Sequence, residues 1–271
     1  MVLWGAAVAL AQAQTVMLKD GRLLAAANVK RAGDQVMLES ASGAQVSMAV
    51  GEIVRIDFPE PSDLGDAVEK VVEGKGEEAV VLLERIVAGQ ADFREIPGNW
   101  WSLTALRLAQ ALESLGRGLE AQALAEKIVG EAIEPELVKA AQAQVAAVIL
   151  RRGDRAGAIR KIDPVLREAR GDTARALAHL VRGQCWLAEE NWEEAMLSFV
   201  QVPVFHATET ILFPAVMLGR GRALLGLADF AGARSTLEEL RAVYPGAPEA
   251  KLALPELQRV ADRERAARGD R

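Results

Sequence analysis

Histidine, cysteine and aromatic side chains are scarce in this chain. It has two histidines, His179 and His206, far apart in sequence and without ligand-like neighbours. A zinc site or a histidine-based triad needs convergent partners for each histidine, and no spacing here supplies them. One cysteine, Cys185, excludes an internal disulfide. Its setting between Gln184 and Trp186 in an apolar stretch makes it a small buried hydrophobe. Excess positive charge is also missing, with 32 Lys and Arg against 38 Asp and Glu and a net charge of −6. The basic stripe of a nucleic-acid binder is therefore not expected. Gly219, Gly221 and Gly226 follow no strand, so they make no phosphate loop. No cofactor or metal set is expected, nor an enzyme.

Long apolar runs are absent too. The run from Met1 to Leu10 is too short for a permanent membrane helix. It ends in Ala11-Gln12-Ala13, a small-x-small pattern that predicts a cleaved leader over residues 1–13 and a periplasmic or secreted protein. No Lys or Arg precedes the run. No later segment is apolar enough to span a bilayer.

What is present divides into two parts. Residues 14–59 carry short apolar runs broken by turn residues: Val16-Met17-Leu18, Leu23 to Lys30, Gln35 to Glu39, Ala44 to Met48 and Ile53 to Phe58. Gly21, Gly33 and Gly43 lie in the turns between them. This pattern predicts five strands in a small SH3-like or Sm-like barrel, or an open meander. Pro59-Glu60-Pro61 ends it.

From Ser62 to Arg265 the pattern becomes helical and repetitive, with a charged tail over 266–271. Five small residues are each followed four positions later by an apolar partner: Ala79/Leu83, Ala121/Ala125, Ala158/Ile162, Ala195/Phe199 and Ala233/Leu237. Twelve residues before each alanine lies another small residue, namely Ala67, Ala109, Ala146, Gly183 and Gly221. Successive alanines are 42, 37, 37 and 38 residues apart. Two antiparallel helices approach closely only where facing side chains are small, and the larger residue one turn on fills the space beside the crossing. The pattern predicts a mostly α protein of about five helix pairs plus a C-terminal helix.

The fourth and fifth units carry more. Gly183-x-x-Trp186, Trp192 and Ala195-x-x-x-Phe199 are followed by Gly221-x-x-Leu224, Phe230, Ala233-x-x-x-Leu237 and Tyr244-Pro245. In these residues the chain resembles the tetratricopeptide repeat family. The first three units keep the small residues but lack the aromatics, and every interval exceeds the usual ~34 residues. The resemblance implies a superhelix whose first helices line a concave groove that receives a protein or peptide partner. The Lys and Asn with which some members grip a carboxylate are absent. The polar points implied for the groove are Arg107, Gln110, Gln144, Arg151, Gln184 and Arg222, exposed among Ala and Leu.

The remaining features have structural explanations. Glu77-Glu78 and Glu193-Glu194 open second helices, where negative charge suits the helix dipole. Arg152-Gly153-Asp154 reads as a helix stop followed by a cap. His179 is expected to pack, and His206 to sit exposed in a loop. Trp100 and Trp101 point about 100° apart on a helix. Either one is an exposed anchor, or the loop from Gly89 to Gly98 covers it. The function expected is a non-catalytic scaffold of the cell envelope. The alternative is a homo-oligomerising module that docks through the β part or the Trp100-Trp101 edge.

Overall fold

The computed structural model describes residues 13–269. The expected leader lies outside the described residues, except for Ala13. Six strands come first: β1 (Gln14–Leu18), β2 (Leu23–Ala26), β3 (Asn28–Ala32), β4 (Gln35–Glu39), β5 (Gln45–Ala49) and β6 (Ile53–Asp57). They form two antiparallel three-stranded sheets, ordered β2-β1-β6 and β3-β4-β5. The run expected as one strand over Leu23 to Lys30 is broken at Ala27, and its halves join different sheets. Ala27 still donates its N–H to the Glu39 carbonyl at 2.7 Å. The result is not a closed barrel. Alternation puts Val16, Leu18, Val36, Leu38 and Met48 inside, joined by Ile53 and Ile56 of β6.

Eleven helices follow: α1 (Asp63–Val72), α2 (Gly76–Gln90), α3 (Trp101–Ser114), α4 (Gly118–Glu131), α5 (Pro135–Arg151), α6 (Arg155–Glu168), α7 (Asp172–Ala188), α8 (Trp192–Phe205), α9 (Phe213–Gly226), α10 (Phe230–Val243) and α11 (Pro248–Arg268). They make five antiparallel pairs and a closing helix, a tetratricopeptide-like α-α superhelix. All five second-helix alanines and their partners at i+4 are completely buried. A Cβ built on Gly183 would lie 2.6 Å from the Phe199 ring, and one on Gly221 would lie 2.6 Å from Leu237. Gly219, on the next first helix, lies against the opposite side of the same crossing, so the Phe199 ring is held between two helical glycines.

The turns inside the pairs repeat as faithfully as the crossings. Gly74, Gly116, Gly153, Glu190 and Ala228 all adopt positive φ, between 58° and 90°. Each lies five residues before its crossing alanine. Glycine takes this conformation without steric cost, and Glu190 and Ala228 do not. Asp154 and Asp229 then cap α6 and α10, accepting from the N–H of Gly157 at 2.7 Å and of Gly232 at 2.9 Å.

The β part is stitched to the stack through the α2–α3 connection. Phe93 and Ile96 leave that loop to complete the β core, and Phe93 packs on Phe58 with ring centroids 4.9 Å apart. The outer edge of β6 is covered as well. Ile56 donates to the Pro97 carbonyl at 2.9 Å and Phe58 to Gly98 at 3.3 Å. Gly98 has φ +93°, and a side chain there would strike the Ile56 carbonyl. Trp100 is half-buried and donates its Nε1–H to the Phe58 carbonyl at 3.0 Å. Trp101 is buried among the helices. The expectation of an exposed anchor at Trp100 or Trp101 is thus corrected: one ties the two parts together and the other is core. The loop from Gly89 to Gly98 turns into the β module.

The superhelix also closes on itself. Gly74, in the α1–α2 turn, lies so tightly against Gly246, before α11, that neither could carry a side chain. The α8–α9 connection, with a 3-10 turn at Thr210–Leu212, reaches back across the groove to α1.

Two substitutions should move stability in opposite directions. Gly219→Ala overpacks the Phe199 crossing and should cost about 1–3 kcal/mol. Glu190→Gly relieves a positive φ and should gain about 0.5 kcal/mol after the extra chain entropy is offset. Thermal melts of both variants against the unaltered protein check this.

Candidate functional site

The concave face has a filled half and an open half. The filled half is occupied by the chain's own segment from His206 to Leu212. Glu209 is buried there, and its carboxylate takes both arms of the Arg107 guanidinium, at 2.8 and 3.2 Å. Thr173 donates its hydroxyl to the same carboxylate at 2.6 Å. Leu212 is buried beside it, and Ile211 packs between the two largest clusters of the core. A planar fork on a carboxylate is among the strongest polar contacts a protein makes.

Three of the residues expected to be exposed to a partner lie in this half. Arg107 is committed to Glu209. Gln110 is buried, with Oε1 accepting from Arg107 at 3.1 Å and Nε2 without a protein partner. Gln144 is fully buried and donates to Glu113. The reading of Arg107, Gln110 and Gln144 as an exposed recognition face is corrected accordingly. Their register places them on first helices, and that place is inside because a loop from another unit covers it.

His206 also departs from expectation. It is buried, not an exposed loop residue, and its Nδ1 lies 3.0 Å from the Asp172 carboxylate at the start of α7. The His179 ring stacks near it, with centroids 6.2 Å apart. Burial first, then His206, Arg175 and Arg182, holds the His179 imidazole down to about 4. Cys185 is buried as expected, and burial pushes its thiol up to about 11. Such a thiol is not a nucleophile near neutral pH.

The open half lies at the ends of α5, α7 and α9, with α11 packed beside α9. It is a cavity of about 770 Å³. Arg151, Gln184 and Arg222, the other three expected residues, are brought together on its wall, with Leu150, Leu187 and Leu225 as apolar surface. α11 and the α7–α8 turn add residues to which the repeat pattern does not point. Trp192 lies flat on the backbone of Gly226, where a side chain would strike the indole. From α11 come Arg259, Arg263 and Glu256. Glu256 is buried and accepts from Arg222 at 2.8 Å and from Arg259 at 3.1 Å. Trp192 stood in the sequence only as a repeat-pattern aromatic. Nothing in a one-dimensional repeat register assigns α11 to the groove wall.

Arg151 marks the border between the halves. Its guanidinium pairs with Glu113 at 3.0 Å. Burial raises the Glu113 carboxyl above the ordinary range while Arg151 and Gln144 pull it back, and burial raises Glu249 nearby. Among the described residues no group of three His, Cys, Asp or Glu side chains could hold a metal ion. No helix among them is long and apolar enough to cross a membrane.

No family profile matches the chain. No curated protein matches it. Solved structures of repeat proteins do. A Podosopora anserina protein of nearly identical TPR-like repeats, named for kinesin light chain, is 22% identical, covering 69% of this chain and 97% of that one at a TM-score of 0.38. A tetratricopeptide repeat protein from Parabacteroides merdae is 14% identical, covering 78% of each chain at a TM-score of 0.40. The tetratricopeptide-like description of this chain rests on its own five crossings and five turns.

Two measurements follow from the charges. Arg151→Glu with Arg222→Glu reads from sequence as a harmless surface reversal. It would set new carboxylates against Glu113 and the buried Glu256, and should cost about 3 kcal/mol. An unchanged melting temperature would contradict these pairings. The depressed His179 contributes stability that is complete above its ordinary value near 6.5 and lost as pH falls toward 4. Over that window the loss of melting temperature should be smaller in His179→Phe than in the unaltered protein.

Proposed function

We propose that this chain is a non-catalytic interaction scaffold of the cell envelope that receives a protein segment in the open half of its groove. The observation that carries the reading is the cavity beside α11, with its apolar surface and converging guanidiniums. Its volume lies within the ~300–1,000 Å³ of pockets that enclose a drug-sized group, room for a few side chains of a bound segment. The rest of the concave face is closed by the chain's own loop, so a partner has this end available. Small-residue leaders such as Ala11-Gln12-Ala13 are read by export machinery, which is why the reading is placed outside the cytoplasm.

Two experiments test the two halves of the proposal. Terminal mass spectrometry of the native protein should find a mature start near Gln14, and an intact Met1 on a cytoplasmic protein would refute export. Ala188 lines the cavity and is exposed, so Ala188→Trp should obstruct it without disturbing the core. A partner captured from the envelope fraction should be lost with Ala188→Trp and kept with Val46→Lys on the β module. The reverse pattern, with a mass that doubles at high concentration, would favour self-association through the β sheets.

A further inference from the structure

We infer that the cavity beside α11 selects an acidic segment carrying an apolar side chain, with Arg222, Arg259 and Arg263 as the anion receptor and Trp192 as the apolar shelf. This rests on the scaffold reading above and assigns the chemistry of its partner.

The charge balance of the wall differs from that of the chain. Four guanidiniums line it, from Arg151, Arg222, Arg259 and Arg263, against Glu256 and Asp262 on the same wall and Glu113, which pairs with Arg151 from outside it. Asp262 is itself engaged along α11, its Oδ1 accepting from Gln258 at 2.9 Å and from Arg265 at 2.5 Å. Among the described residues Arg263 pairs with no carboxylate, and it donates to the Leu225 carbonyl at 3.0 Å. A net-positive wall therefore stands on a protein of net charge −6. Such a contrast favours an anionic partner and repels a basic one.

Glu256 makes the receptor a built one. A single buried carboxylate holds Arg222 and Arg259 side by side, one from the last first helix and one from the closing helix. Each guanidinium has five N–H donors, so both keep donors for a second carboxylate. Because they are already held, ordering them on binding costs little further entropy. A neutral apolar segment would cover these guanidiniums without pairing them, which is unfavourable.

The shelf supplies the second requirement. Trp192 packs against Gly226, and both line the cavity with Leu187 and Leu225. A rigid aromatic between two leucines takes an aliphatic or aromatic side chain, and the guanidiniums take the acidic residues flanking it.

The test uses the purified mature protein and an array of blocked octapeptides mixing Asp or Glu with Leu or Phe, beside the same array with Lys in place of every acid. Tryptophan fluorescence reads binding. Members of the acidic array should bind, at least about tenfold tighter than their Lys counterparts. Arg259→Gln with Arg263→Gln alters two exposed residues and should weaken that binding about tenfold in a protein that still melts cooperatively, because Arg222 remains paired with Glu256. Ala188→Trp should abolish it. Equal binding of the two arrays, binding of neither, or undiminished binding by the double arginine variant overturns the inference. So does tighter binding of inorganic phosphate than of any peptide. If Ala188→Trp loses a native partner while the arrays show no acidic preference, the chemistry fails and the scaffold reading stands. Acidic selectivity with no native partner lost would leave the chemistry and remove the scaffold reading.

Discussion

Close approach of paired helices at small residues is the constraint on which this structure depends. Each pair crosses where Ala67, Ala109, Ala146, Gly183 or Gly221 faces the second helix, whose own alanine is completely buried. The backbones come near enough for one large residue to fill the remaining space. At Phe199 that residue serves two crossings, because Gly183 and Gly219 flank its ring. The turn that makes the approach possible is equally constrained, with a left-handed residue five positions before every crossing alanine. Crossing and turn together define one unit, and repetition with a small rotation produces the superhelix.

Curvature then decides what the groove can do. The stack curls until Gly74 meets Gly246, and the α8–α9 loop crosses the enclosed space to α1. The loop carries a carboxylate into that space, which is tolerable only because Arg107 and Thr173 meet it there. Half of the concave face becomes interior. The recognition chemistry is displaced to the far end, where α11 supplies the wall that another repeat would otherwise provide. Glu256 has the corresponding role at that end: one buried carboxylate organising arginines from two elements.

The β part belongs to the same architecture. Its two sheets do not close, and its core is incomplete without Phe93 and Ile96 from between the first two helix pairs. Proline and glycine at 97 and 98 cover one open strand edge, and Trp100 bonds across the junction. A small sheet pair with few core residues gains from being fastened in this way.

Local and periodic features are legible in the residues alone. The 37- and 38-residue spacing, the glycines of the turns, the alternation in residues 14–59 and the burial of Cys185 all follow from neighbours within a few helical turns. Short-range sterics settle such features, so they are legible in one dimension. The split at Ala27, the path of the Gly89–Gly98 loop, the burial of His206 and the division of the groove were decided only by the tertiary structure. Each depends on a contact between residues far apart in the chain. Arg107 meets Glu209 across 102 positions, and Arg222 meets Glu256 across 34. A groove arginine facing solvent and one facing a buried carboxylate have the same neighbours in sequence. The accumulated rotation of the repeats brings the carboxylate to one of them, and no single unit encodes that sum.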